Sequence, residues 1–353
     1  MATAGRPAPS RVLFVGPIKT EAPCGSTVKN ELMVRGLKDS GVTVNVVDTG
    51  DSGRRGRLAQ LGRLLRSLLT ERQLVVSASR NGVYTLVPLF GALTLLGYRF
   101  TILVTGSGLP RHVNRLKGLK RRYFKWSVTR ASAIFAEGDW ISHELEKVGV
   151  HDSHYLPNPR PRPAKRWDPA NLEAGKLTYI SRVIAEKGVE DAMVAVERLR
   201  AEGRKVSLEV YGPVPPSYRE RFERLVAESP GTSYHGVLEP GEVSDVLARH
   251  AALVFPTTLF EGMPGILVEA AMVGMPVIST TMTPIAEFIE NGVAGLLVEP
   301  GDRDALTGAV RDVLTRPEAA AAMAEVLGRR IDVYSLDNVI TSMCDELAVQ
   351  GWR

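Results

Sequence analysis

The sequence predicts an α/β protein of two domains, each built on a parallel sheet with helices on both faces. Three observations carry that reading. Apolar runs rich in Val, Ile and Leu alternate with helix-length stretches through the first half of the chain, and the alternation starts again in the second half. Parallel strands are covered on both faces by their crossover helices, so they read as such runs. The pattern breaks at Leu156-Pro-Asn-Pro-Arg-Pro-Arg-Pro163, where proline density makes a stiff, extended connector. The charge changes sign at the same place. Residues 1–160 hold 24 Lys+Arg against 11 Asp+Glu, a net of +13, and residues 161–353 hold 20 against 28, a net of −8. A chain of 353 residues is too long for one ordinary core and about right for two.

In the first domain, Arg11–Gly16 reads as a buried strand and Gly25–Ser40 as a helix ended by Gly41. Strands follow at Val42–Val47, Leu74–Ala78, Phe100–Thr105 and Ala133–Ala136, with helical stretches between them. In the second domain, strands are expected at Leu177–Ser181, Val206–Tyr211, Ala252–Pro256, Pro276–Ser279 and Gly295–Val298. Helices are expected at Gly188–Glu202, Tyr218–Glu228, Pro240–His250 and Gly265–Val273, with more after Asp302 and a last one from Ser335 to Arg353. No short internal repeat is present.

Composition narrows the functional classes. A hydrophobic fraction of 44% and a charged fraction of 24% are those of a soluble globular protein. Cys24 and Cys344 lie far apart without ligand-like spacing, which argues against a disulfide scaffold or a zinc site and suits a reducing cytosol. The opening MATAGRPAPS lacks the apolar segment of a signal peptide. The longest uncharged run, Gly82 to Tyr98, is 17 residues and contains Pro88, Gly91 and Gly97. A membrane span needs roughly 20 apolar residues, so a helix of the α/β layers is the expectation there.

The chemistry concentrates in two loops of the second domain. Phe260-Glu-Gly-Met-Pro-Gly265 joins a strand to a helix, with Glu261 on the loop and Glu269 in the helix's early turns. Backbone N–H groups at a helix start bind phosphate oxygens, and Gly262 and Gly265 allow close backbone approach. Carboxylates would repel a phosphate, so these two acids suit sugar or ribose hydroxyls instead. Acids are favoured in a helix's first turn on dipole grounds alone, so the pair needs supporting context. Ser181-Arg-Val-Ile-Ala-Glu-Lys-Gly188 supplies it by placing Arg182 and Lys187 at another strand's carboxyl end, where a diphosphate needs cations. Cations in one loop and hydroxyl acceptors in another make a nucleotide-diphospho-sugar site.

Five segments give these loops a family resemblance: SRVIAEKG (181–188), YGP (211–213), YHGVLEP (234–240), FEGMPGILVEAAMVGMPVIST (260–280) and ENGVAGLLVEPGD (290–302). Residues 177–307 resemble the donor domain of the retaining glycosyltransferases of family 4. The resemblance implies the GT-B fold, two Rossmann-like domains facing each other across a cleft. It implies an acceptor domain at 1–160, a donor domain at 161–334 and a last helix, 335–353, crossing back to the first domain. Arg182 and Lys187 would hold the donor diphosphate, and Glu269 the ribose hydroxyls. Glu261 would face the sugar with the backbone of Gly262, Met263 and Gly265, while the amides of Ile266 and Leu267 meet the phosphates. Backbone near Val237 would frame the base, with Gly212 in the same donor pocket. Pro264 has no N–H and can contribute only shape or a carbonyl.

The first domain resembles the family more loosely. Gly25 and Ser26 stand where relatives keep a Gly-rich loop facing the diphosphate and acceptor, although Gly25 is also a sensible helix start. Many relatives have a histidine in the loop that here reads Val104-Thr-Gly-Ser-Gly-Leu-Pro110, with Gly106 and Ser107 in its place. His112 follows as an expected helix-start residue. Sugar transfer with retention is implied, without cofactor. Glu261 is the one motif acid near the expected sugar, so a front-face reaction in which Arg182, Lys187 and helix amides stabilise the leaving diphosphate is expected. No Asp-x-Asp motif occurs in a strand-end loop, so no metal is expected.

Arg111 to Arg130 holds eight Arg+Lys and no acid, with Val113, Leu116, Leu119, Tyr123 and Trp126 at helical spacing. A basic amphipathic helix suits an anionic membrane surface, and equally the packing of its apolar side on the domain's own sheet. The expected location is therefore cytoplasmic, with peripheral contact at the inner face of the membrane. No recognised nucleic-acid module accompanies the charge. A nicotinamide oxidoreductase would share the layout, but no G-x-G-x-x-G follows either first strand. A GT-B partner subunit that binds nucleotide sugar without turnover is the non-enzymatic alternative, prompted by the missing loop histidine.

Overall fold

The computed structural model describes residues 10–18, 25–50, 54–78, 80–106, 108–172, 175–239 and 241–352. The chain divides into two compact units, Met1–Arg160 with Val333–Arg353, and Pro161–Asp332.

The first unit holds six strands: β1 (Arg11–Gly16), β2 (Thr43–Asp48), β3 (Gln73–Ala78), β4 (Arg99–Val104), β5 (Ala133–Ala136) and β6 (Ser153–Tyr155). They pair in parallel in the order β2-β1-β3-β4-β5-β6. Helices α1 (Gly25–Asp39), α2 (Arg54–Thr70), α3 (Arg80–Leu93), α4 (Gly108–Arg115), α5 (Gly118–Thr129) and α6 (Asp139–Lys147) connect them. Two hydrophobic clusters show how the layers divide. Leu64 and Leu68 of α2, Val87 and Phe90 of α3, and Phe124 and Val128 of α5 pack with Val15, Val76 and Ile102 on one face of the sheet. Leu32, Met33 and Leu37 of α1 pack with Phe14, Val75 and Leu103 on the other.

The second unit repeats the plan with β7 (Lys176–Ile180), β8 (Ser207–Tyr211), β9 (Thr232–Tyr234), β10 (Ala252–Val254), β11 (Val277–Thr280) and β12 (Leu296–Val298). Its order is β12-β11-β10-β7-β8-β9, again parallel. Helices α7 (Val189–Ala201), α8 (Pro216–Glu228), α9 (Val243–Arg249), α10 (Gly265–Val273), α11 (Thr283–Phe288), α12 (Arg303–Thr315) and α13 (Pro317–Gly328) complete it. From β7 the chain builds outward through β8 and β9, then returns to lay β10 against β7's other edge. The β7–β10 junction is therefore the switch point of this sheet, and sheets of this kind bind ligands outside the carboxyl ends of the strands at such a point.

The last helix, α14 (Leu336–Val349), is capped by the Ser335 hydroxyl accepting from the Asn338 N–H. Its Val339, Ile340, Met343 and Leu347, together with Trp352, are buried in the α1 cluster of the first unit. Gly36 of α1 is required by this packing, since a Cβ there would lie 2.5 Å from Ile340.

The structure departs from the sequence reading in five places. Each sheet has a sixth strand, β6 (Ser-His-Tyr) and β9 (Thr-Ser-Tyr), three residues long at a sheet edge and lacking the apolar run that marks the inner strands. The proline connector is anchored rather than extended through solvent: Leu156 to Arg160 are buried, and the Arg160 N–H donates to the Tyr334 carbonyl at 2.9 Å. The uncharged run 82–98 is not one buried helix. It ends α3 at Leu93, continues in a 3₁₀ turn at Thr94–Leu96, and leaves Leu95 and Leu96 exposed. The basic stretch 111–130 is likewise two helices, broken where Gly118 takes φ +55°. Its apolar residues divide accordingly. Val113 joins Phe124 and Val128 in the core, while Leu119 and Tyr123 face solvent. His112 lies in the last turn of α4, not at a helix start, stacked on Tyr84 at 3.7 Å.

Candidate active site

The switch point of the second sheet places the two sequence-marked loops side by side. Residues 181–188 leave β7, and residues 255–264 leave β10, its direct neighbour. Backbone hydrogen bonds stitch them together. The Glu186 carbonyl accepts from the Thr258 N–H at 2.9 Å and from the Thr257 and Thr258 hydroxyls at 3.3 and 3.2 Å. Gly188 has φ +80°, and a Cβ there would sit 2.0 Å from the Pro256 carbonyl oxygen. The contact between loops depends on that glycine.

This stitching brings Lys187 and Glu261 into a direct ion pair between Nζ and Oε1. Lys187 is 7% exposed, its Nζ lies 5.4 Å from the centre of the Phe255 ring, and its carbonyl accepts from the buried Tyr179 hydroxyl at 3.2 Å. Burial pushes the Lys187 ammonium below its ordinary value, and the Glu261 carboxylate partly restores it. Arg182, exposed at the same strand end, adds a like charge that lowers it further. The arrangement is two cations and one carboxylate at the switch point.

The loop then turns into α10. Met263, Pro264 and Gly265 are buried, Gly262 and Ile266 half-buried, and Pro264 occupies the N-cap position. The Leu267 N–H donates to the Pro264 carbonyl at 3.2 Å, so a phosphate at this helix start would compete with that bond. Glu269 stands half-buried in the second turn, beyond the helix's first turn.

A third loop is fixed to the first by Gly212, just after β8. Its φ is +131°, and a Cβ would fall 1.8 Å from the Ser181 carbonyl oxygen. The Val183 N–H donates to Pro213 O at 3.0 Å, Gly212 N–H to Gly236 O at 2.7 Å, and the Tyr234 hydroxyl to Gly212 O at 2.8 Å. Val237 follows with 59% of its surface exposed. Loops from β7, β8 and β9 are thus held in one register around the switch point.

Two polar clusters went unnoticed in the sequence. In the second unit, Glu209 Oε2 accepts from the Tyr211 hydroxyl at 2.6 Å and faces Nε2 of the fully buried His250 at 2.9 Å. Burial alone would raise the Glu209 carboxyl, but the Tyr211 hydroxyl and His250 outweigh it and hold it at about 2. In the first unit, Lys29 of α1 and Glu137 after β5 form a buried pair at 2.6 Å. The partners are 41 residues apart in one case and 108 in the other. No local spacing signals such pairs. Of the other first-unit residues singled out, Gly25 opens α1 with half-buried Ser26 next to it, and Gly106 follows β4 with φ +61°. Ser107 lies outside the described residues.

Two parallel six-stranded sheets, the second with Lys187, Glu261 and Arg182 gathered at its switch point, define a class, and comparison with solved structures gives the same one. HepE of Anabaena, crystallised with UDP-glucose, superposes with a TM-score of 0.75 over 96% of this chain and 99% of its own, at 13% identity. Sucrose-phosphate synthase from Thermosynechococcus elongatus gives 0.75 over 97% and 99%, at 14% identity. The fold is that of the GT-B glycosyltransferases. Within it, residues 174–316 match the family model described as glycosyl transferases group 1.

Among curated relatives, a GDP-mannose-dependent α-(1-6)-phosphatidylinositol monomannoside mannosyltransferase of Mycolicibacterium smegmatis is 29% identical over 220 residues, 60% of this chain and 56% of that protein. Glycogen synthase of Mycobacterium tuberculosis is 30% identical over 163 residues, 44% and 38% of the two chains. The chain thus spans about half or less of the length of the curated relatives it matches.

Proposed function

We propose that the protein transfers a sugar, with retention, from a nucleotide-diphospho-sugar to an acceptor hydroxyl in polysaccharide, glycolipid or other glycoconjugate synthesis. The observation that carries this reading is the Lys187–Glu261 pair at the β7–β10 switch point, beside Arg182 and the start of α10. A diphosphate satisfies the two cations, and the second carboxylate oxygen of Glu261 accepts a sugar hydroxyl. Glu269 takes the ribose hydroxyls, the backbone near Val237 frames the base, and Gly212 keeps those loops in register. The first unit supplies the acceptor side through Gly25, Ser26, Gly106 and Ser107. Donors bound by similar proteins, GDP-mannose by name and UDP-glucose in a crystal, support a nucleotide sugar as the ligand class.

In the proposed reaction the bond between anomeric carbon and diphosphate oxygen breaks on the face where the acceptor oxygen arrives. The leaving diphosphate takes the acceptor proton, and Lys187, Arg182 and the α10 amides stabilise its growing charge. Neither a metal nor a cofactor takes part. The test is a thermal-shift screen of nucleotide sugars, followed by NMR of the anomeric configuration in the product. Stabilisation by one donor class and an unchanged anomeric configuration are expected. No donor-induced shift would defeat the binding reading, and inversion would defeat the front-face mechanism.

A further inference from the structure

Tyr179 lies inside β7 and is fully buried. Its place in the core does not call for a hydroxyl. Leu177, on the same face of the strand, and Val183 and Val189 after it are apolar and equally buried. Burying a phenol oxygen costs free energy unless it finds a partner, and phenylalanine would fill the same space without that cost. The partner stands eight residues on: the Tyr179 hydroxyl donates to the Lys187 carbonyl at 3.2 Å. Burial pushes the phenol well above its ordinary range, so the hydroxyl keeps its proton and remains a donor.

The rest of the turn is held from elsewhere. The Ile184 carbonyl accepts from the Lys187 N–H at 3.1 Å, and the Ala185 carbonyl from the Gly188 N–H at 2.9 Å. The Glu186 carbonyl is held by Thr257 and Thr258 of the β10 loop. Of these four carbonyls, that of Lys187 is the one tied back to the strand. The same tyrosine also stands behind the side chain. Its ring centre lies 6.2 Å from that of Phe255, at the end of the neighbouring strand. The Lys187 ammonium sits 5.4 Å from the Phe255 ring centre while it pairs with Glu261. Lys187 is thus steadied at its backbone by the hydroxyl, and at its ammonium by a ring that Tyr179 packs against. A lysine ammonium rides on a flexible four-carbon stem, and a displacement of about 1 Å is enough to spoil its contact with a diphosphate.

We propose that Tyr179 is a positioning residue of the donor site: its hydroxyl holds the Lys187 backbone so that the ammonium stands where the donor diphosphate arrives. This rests on the reading of Lys187 as a diphosphate cation. Tyr179 lies fully inside the sheet layer and acts through Lys187 alone. A hydroxyl that served only the fold would leave donor affinity unchanged once removed.

The test is a double-mutant cycle on the full chain, with UDP and GDP as the probes that carry a diphosphate. Tyr179→Phe keeps the ring and nearly all of the volume, so the sheet should form as before. Calorimetric titration is expected to show the better-bound diphosphate weakened about fivefold by Tyr179→Phe, with no further loss when the same change is made in Lys187→Ala. Hydrogen exchange without ligand is the second measurement. Amides of residues 184–188 should exchange faster in Tyr179→Phe, with the rest of the second unit unchanged. Wild-type affinity in Tyr179→Phe, or equal weakening in both backgrounds, would overturn the proposal. So would exchange that is unchanged in the turn or faster throughout the unit. Failure of the wild type to bind either diphosphate, or a Lys187→Ala variant that binds as tightly as the wild type, would defeat the reading of the site itself and the proposal with it.

Discussion

Lys187 is the side chain on which the proposed donor site turns. It is nearly buried, held by Glu261 and in reach of Arg182's charge, so its ammonium is easier to discharge than an ordinary lysine's. Lys187→Ala is expected to weaken nucleotide-sugar binding about a hundredfold, since charge-assisted hydrogen bonds to phosphate contribute about 1.5–3 kcal/mol each. Calorimetric titration checks this, and unchanged affinity would remove Lys187 from the diphosphate. The sign of the pH effect follows from the lowered value. As pH rises the positive charge is lost before the ordinary lysine value of 10.5, so donor affinity falls at a lower pH than an ordinary lysine would give. In Lys187→Arg that fall should move to higher pH, because a guanidinium stays charged. Two glycines belong at this scale as well. Gly188→Ala and Gly212→Ala each force a Cβ into a backbone carbonyl oxygen at a positive φ, and each should cost more than about 2 kcal/mol in urea unfolding. The residue types of this site were legible because their loops carry a distinctive order of charges and glycines. Their pairing was not: that Lys187 touches Glu261 depends on β10 lying against β7, a fact of sheet order that no local spacing carries.

At the scale of elements, the inner strands could be read because burial on both faces leaves mostly apolar side chains. Helices α7 and α14 could be read from their periodicity and their flanking glycine or cap, and α10 from the apolar run between Gly265 and Gly274. Edge strands β6 and β9 could not, since three polar and aromatic residues carry no period. The Glu209–His250–Tyr211 cluster ties β8 to the end of α9, and its effect on stability follows from the direction of the shift. A carboxyl held at about 2 when folded and near 4.5 when unfolded contributes fully above pH 4.5, and that contribution is lost as pH falls toward 2. Glu209→Gln should therefore destabilise by about 3 kcal/mol at pH 7 and by much less at pH 3, read as urea midpoints at the two pH values. A gap that persists unchanged at pH 3 would show that the carboxylate charge is not the source. On α14, Leu347 is fully buried against the first unit, and Leu347→Ala should cost about 3 kcal/mol through the cavity left behind.

Over the whole molecule, the charge division read from the sequence follows the two units closely. Val333–Arg353 carries one arginine and three acids, which leaves the first unit at +11 and the second at −6. Each unit has its own sheet and its own buried residues, so unfolding need not be a single transition. A nucleotide sugar bound by Arg182, Lys187, Glu261 and Glu269 should stabilise the second unit in particular. At a ligand concentration a hundred times Kd the gain is about 2.7 kcal/mol. Hydrogen exchange should then slow mainly between residues 174 and 316. Protection spread evenly over both units, or confined to the first, would place the donor elsewhere.

The position of α14 sets an order of events during synthesis. The first sheet is made before the second unit, yet the apolar face covered by Ile340, Met343, Leu347 and Trp352 stays bare until the residues that follow the second unit have emerged. The second unit is one uninterrupted segment and can close before its predecessor is finished. Nascent chains that stop short of Leu336 should accordingly present the α1 side of the first sheet to chaperones.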